Sequence, residues 1–156
     1  MRPGAYLHRR RVVQGLTLAQ AAANLALLAE ARGHADELPK LEARLRRAES
    51  DEEPLSLQQA ALLRNVVSFD LDVYDRLLDR DLADEVTRRH LPLPHLCRTC
   101  AYSWHDPCEH DNGTLCAWSA DEDALCTRCE ESAARNPKCA PISVPAAPIL
   151  QPEGFC

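Results

Sequence analysis

Several residue types that shape folds are scarce in this sequence. Aromatic residues make up 4% of its 156 positions, and there are 5 glycines and a single methionine. With so few aromatics, a core has to be built from Leu, Ala and Val, which favours helices. No run of about 18 apolar residues is present to cross a bilayer. A general excess of basic residues is also missing. The formal net charge is −6, which excludes a protein that coats nucleic acid with its whole surface and leaves room for a local basic face. The opening stretch MRPGAYLHRRRVV is positively charged but lacks an apolar segment, so a secretory signal is not expected there. Cysteine is absent from the first 94 residues, and all 8 cysteines lie beyond them. Without an export signal, that usage points to metal ligation in the cytoplasm more than to disulfides.

What is present divides in two. Charges nearly balance up to residue 94, whereas the later part holds every cysteine, both tryptophans and most of the acidic excess. Leu91-Pro92-Leu93-Pro94 marks the join, since two prolines oppose a continuing helix. The expected organisation is a helical domain over 1–90, a proline hinge over 91–96, a cysteine module over 97–136 and an extended proline-rich tail over 137–156. No internal repeat of useful length is found.

Within 1–90, Thr17 with Gln20 forms a capping-box pattern that opens a helix through Leu18, Ala21, Ala22, Leu25, Leu28 and Ala29. Gly33 and His34 are expected to close it. A third helix starts near Asp36, tolerates Pro39 in its first turn and aligns Leu38, Leu41, Leu45 and Ala48. Ser56 with Gln59 repeats the capping box ahead of Leu62, Leu63, Val66 and Val67. Asp70 is the expected N-cap of a fifth helix, with Leu71, Tyr74, Leu77, Leu78 and Leu82 turned inward. Nothing alternates with period two. The fold class is therefore mainly α, with five helices in the N-terminal domain.

The order of these pieces resembles a Cro/phage-repressor-type helix-turn-helix domain over roughly residues 4–78. An arginine-rich helix, Gly15-Leu16-Thr17-Leu18 and an Ala-rich helix match its opening. Leu45-Arg46-Arg47-Ala48-Glu49 looks like the end of its recognition helix. Pro54-Leu55-Ser56-Leu57 and Phe69-Asp70-Leu71-Asp72-Val73-Tyr74 match the entries to its fourth and fifth helices. The resemblance implies a DNA-binding transcriptional regulator of phage or mobile-element type. Its base contacts would come from Lys40, Arg44 and Arg47, spaced four and three apart on one helix face. Arg9, Arg10 and Arg11 would grip the phosphate backbone. DNA is then the expected partner, alongside a second copy of the chain or the transcription machinery.

Three features depart from that pattern. Residues 24–40 hold a longer, charged stretch, Leu18 stands where many relatives place a Gln, and Ser50-Asp51-Glu52-Glu53 is acidic. They favour the alternative, a protein-interaction or assembly protein using the same scaffold without DNA. Basic residues interleaved with Glu37, Glu42 and Glu49 also describe an ordinary solvated face.

The cysteines carry the most specific pattern. Cys97-x2-Cys100 and Cys126-x2-Cys129 are two knuckles, each able to supply two corners of a tetrahedron. Four thiolates close the site, which suits a structural zinc ion. Trp104 and Trp118 are expected to form the small apolar core that metal alone does not supply. Cys108 and Cys116 are open to several readings: a disulfide, buried thiols, or a second metal with Cys139 or histidines. Two triples, Cys97/Cys100/Cys108 and Cys126/Cys129/Cys139, are spaced alike, as in a binuclear zinc cluster, but match that cluster's own spacing poorly. An iron–sulfur cluster would also use four thiolates, and His105 and His110 are candidate substitutes. The block from Cys97 to Cys129 resembles a cysteine-rich cluster of uncharacterised phage and bacterial proteins in its Cys116-Ala117-Trp118 and Leu125-Cys126-Thr127-Arg128-Cys129 segments. That likeness implies a module and no activity. No nucleophile motif is present, so an enzyme is not expected.

Overall fold

The computed structural model describes residues 1–31, 38–110, 112–121 and 124–135. The expected helix closure at Gly33 and His34, the start near Asp36, Cys139 and the proline-rich tail lie outside the described residues. Among those described, the protein is helical with no strands: α1 (Pro3–Val13), α2 (Leu18–Ala31), α3 (Leu38–Glu49), α4 (Leu57–Leu63), α5 (Leu71–Leu82), α6 (Glu85–His90) and α7 (Thr127–Arg135).

The helix starts follow their capping chemistry. Thr17 Oγ1 accepts the Gln20 N–H at 3.2 Å while Gln20 Oε1 accepts the Thr17 N–H at 2.8 Å. Ser56 and Gln59 repeat this at α4, and the Asp70 carboxylate accepts from Asp72 and Val73 at α5. Among the described residues, six helices precede the cysteine module where five were expected. Ala83 turns extended, and Asp84 then caps a new helix by accepting from Val86 and Thr87. That break also leaves Leu82 73% exposed rather than inward. Asp84's carboxyl is held below its usual range by the Thr87 backbone and side-chain hydrogen bonds.

One core collects the inward faces of α1 to α5. Tyr6, Ala21, Ala22, Leu41, Leu45, Ala48, Leu55, Leu63, Val67, Phe69, Val73, Tyr74 and Leu77 are buried in it. Phe69 meets Tyr6 and Tyr74 edge-on, each at 6.2 Å between ring centroids. Both hydroxyls are satisfied. Tyr6 accepts the Asp70 N–H at 2.9 Å, and Tyr74 donates to the Leu55 carbonyl at 2.9 Å.

α1 crosses the end of α3 closely. Asp51, at φ 59°, ends α3 in the left-handed conformation, with the Glu52 N–H returning to the Arg47 carbonyl at 3.0 Å. Its carboxylate accepts the Gly4 N–H at 2.6 Å. A side chain on Gly4 would strike the Ala48 carbonyl oxygen and lie 2.8 Å from Asp51 Oδ1. Next to this contact Arg11 grips Glu49 with two hydrogen bonds of 2.6 Å.

Candidate metal centre

Leu91 to Leu96 carry no helix and deliver the chain to the first knuckle. There the Ala101 N–H donates to the Cys97 carbonyl at 2.9 Å, and the Cys97 N–H donates to Tyr102 at 3.0 Å. This tight turn drives Ala101 to φ 59°, a conformation that glycine adopts more easily. The second knuckle opens α7, with the Glu130 N–H returning to the Cys126 carbonyl at 3.0 Å. Arg98 N–H to the Ala124 carbonyl, 2.9 Å, ties the two knuckles together. Between them a small hairpin turns at Gly113 and places the Cys116 N–H 2.8 Å from the Cys108 carbonyl.

The result is a pocket of sulfur. Cys97, Cys100, Cys126 and Cys129 bring their Sγ atoms within 4.8 Å of one another, close enough to hold one metal ion. A tetrahedral ion with metal–sulfur bonds of about 2.3 Å sets its thiolates about 3.8 Å apart, and Cys100 and Cys126 stand at 3.5 Å. Cys108, Cys116 and Cys126 form a second close group. All six are free thiols, and five are buried. Neighbouring thiols donating to Cys100 and Cys126 pull these two down, Cys100 to about 4. Cys97 and Cys108 are pushed up, as the donors to Cys100, and so is Cys129. Burial raises Cys116.

The apolar support differs from expectation. Trp104 is 69% exposed and takes no part in the module's core. Tyr102, fully enclosed, fills that place because it follows the knuckle turn directly, whereas Trp104 lies in the bend after it. Trp118 is half-buried, stacked on His95 at 3.9 Å between ring centroids and in tilted contact with Tyr102 at 4.8 Å. Val13 of α1 packs against the same cluster. His110 bonds Thr127 Oγ1 at 3.1 Å, and His105 is exposed; neither belongs to the sulfur groups.

The module is fastened to the helices by polar contacts. Arg10 forms an ion pair with Asp106, and Ser68 Oγ donates to Asp106 Oδ1 at 2.6 Å. Ser103 Oγ donates to the Asp70 carboxylate at 3.1 Å, and Arg9 donates to the Arg98 carbonyl. Asp106, Ser68 and Ser103 had no sequence signal, because nothing in their spacing reveals a partner far along the chain.

Of the six basic residues, Arg9 is half-buried and donates to the Arg98 carbonyl, and the other five separate into two sets. Arg10 and Arg11 are buried in ion pairs with Asp106 and Glu49. Lys40 is exposed, Arg44 is half-buried, and Arg47 is exposed and paired with Glu53 at 2.8 Å. Arg44 borders a small apolar cleft of about 70 Å³ lined by Leu25, Leu41, Leu45, Leu55 and Leu62. No described helix is singly long and apolar enough to cross a membrane. No family model, no curated protein and no solved structure matches this chain.

Proposed function

We propose that the knuckle cysteines bind a structural zinc ion and that the helical domain is a DNA-binding transcriptional regulator's reading head, working in the cytoplasm of a bacterial or phage-infected cell. Zinc suits four sulfurs gathered around one point. A cluster with one thiolate per iron spreads its ligands over several metal atoms. Four thiolates leave no open coordination position, so the ion's chemistry is structural. It fixes the turn carrying Ser103 and Asp106, which in turn hold Asp70 and Arg10.

The observation that carries the DNA reading is the face of α3. Lys40, Arg44 and Arg47 follow one another along it, while Leu41, Leu45 and Ala48 enter the core beside them. Because Arg10 and Arg11 are committed inside the fold, phosphate contact rests on this face and on Arg9. The Arg47–Glu53 pair is exposed and weak, so Arg47 can be given up to a phosphate. The internal commitment of Arg10 and Arg11 favours a second reading, in which the same scaffold contacts protein.

Fluorescence anisotropy on a pool of genomic fragments at about 50 mM and 200 mM salt separates the two. Arg44→Ala is expected to reduce sequence preference, and Glu53→Gln to tighten binding by releasing Arg47. Absence of binding at the lower salt, where attraction is strongest, overturns the DNA reading in favour of protein contact.

A further inference from the structure

We propose that the cysteine module holds two zinc ions, with the thiolates of Cys100 and Cys126 bridging them and Cys108 and Cys116 completing the second site. This rests on the structural zinc reading and deepens it. The starting observation is the position of Cys108, which belongs to neither knuckle. Its Sγ lies 3.9 Å from Cys100 and 3.7 Å from Cys126, and those two are 3.5 Å apart. The three sulfurs form a nearly equilateral triangle whose edges match the roughly 3.8 Å edge of a zinc–thiolate tetrahedron. One edge of this triangle, Cys100–Cys126, is also an edge of the four-cysteine site.

Cys116 supplies the remaining corner. Its Sγ lies within 4.8 Å of both Cys108 and Cys126. Two tetrahedra standing alone need eight thiolates, but two that share an edge need six, and six cysteines are gathered here. Cys108 and Cys116 stand 2.6 Å apart and Cys116 groups with Cys108 and Cys126 but not with Cys100, so seating the second ion opens the first edge and draws Cys116 toward Cys100. The hairpin that carries them, closed at Gly113 by the His110 N–H···Thr114 carbonyl bond of 2.8 Å, would otherwise turn its sulfurs toward the knuckles without purpose. A Cys108–Cys116 disulfide uses the same two atoms but leaves the placement of Cys108 against both Cys100 and Cys126 unexplained. Sharing thiolates also limits charge: six thiolates around two dications carry −2, the same as four around one.

The test is metal stoichiometry on the full chain, purified under reductant and without oxygen. Native mass spectrometry with elemental analysis is expected to give two zinc ions per chain. Cys108→Ser and Cys116→Ser should each retain one, and Cys126→Ser, which removes a bridge, should lose both. Cobalt substitution gives a readout independent of variant folding, because two thiolate-bridged cobalt ions couple magnetically and a lone ion does not. One zinc per chain in the native protein overturns the binuclear centre while preserving the structural zinc site. So does a Cys108–Cys116 disulfide found by peptide mapping, or ready alkylation of both thiols without metal loss. A metal-free folded module overturns both readings together.

Discussion

Arg10 and Asp106 are an enclosed ion pair that joins the first helix to the cysteine module, with only 3% and 14% of their side chains exposed. The guanidinium Nε also donates to the Ser68 carbonyl at 3.2 Å, and Ser68 Oγ reaches Asp106. α1, the turn before α5 and the module thus meet at one charged point. The arginine that looked from sequence like a phosphate grip is instead an internal fastener.

Removing one member of that pair strands the other charge in a buried place. Arg10→Ala or Asp106→Ala should therefore cost about 3–5 kcal/mol. Urea denaturation followed by circular dichroism measures it. A loss below about 1 kcal/mol in both variants would mean that the pair is solvated like a surface salt bridge.

With zinc bound to the knuckles as proposed, stripping it should melt the module before the helices. With a strong chelator, or with Cys126→Ser, the environment of Trp118 is expected to change, since its tilted contact with Tyr102 depends on the knuckle turn. The helical signal should mostly persist, because α1 to α5 share a core built almost wholly from their own residues. Residues 1–90 alone should likewise give a helical spectrum, with a lower urea midpoint than the whole chain because Arg10 has lost Asp106. A random-coil spectrum from that fragment would make the module a requirement for folding.

The crossing of α1 over the end of α3 has no space for a methyl group. Gly4→Ala should cost about 1–3 kcal/mol by forcing the two helices apart. The Gly4 N–H···Asp51 bond would weaken with it. Thermal unfolding checks this, and an unchanged midpoint would show that the N-terminus of α1 moves freely from α3.

All three tyrosines have raised pKa values, chiefly through burial, Tyr74 to about 12. The folded state favours their neutral forms, so this contribution is fully present below about pH 10, the unfolded value. It is lost as pH rises from about 10 towards 12 and beyond. Tyrosinate absorbance should stay low at pH 10 and then rise together with loss of helix. Independent tyrosine titration near pH 10 in a still-helical protein would contradict the enclosure of these rings.

Local signals were legible where local chemistry decides. The capping boxes at Thr17/Gln20 and Ser56/Gln59 and the Asp70 cap are satisfied by atoms two or three residues away, so spacing alone reveals them. The two cysteine knuckles were legible for the same reason: each presents a pair of thiolates on one turn. Helix α6 was missed because Asp84 caps it only once Ala83 has broken the preceding helix.

A mainly helical chain, the ends of several helices and the four knuckle cysteines that come together around one point were set by the sequence alone. The tertiary fold alone separates the charges that stay exposed from those that fasten one element to another. Arg9, Arg10 and Arg11 are adjacent and chemically equal in sequence, yet the turn of α1 points Arg11 at Glu49 of α3 and Arg10 at Asp106 of the module. It also decided that Cys108 and Cys116 join the knuckle sulfurs, and that Tyr102 rather than Trp104 is enclosed. The physical reason is the same throughout. A charge or thiol is stabilised by whatever stands within a few ångströms of it, and the chain brings those neighbours from up to 96 residues away only when it folds.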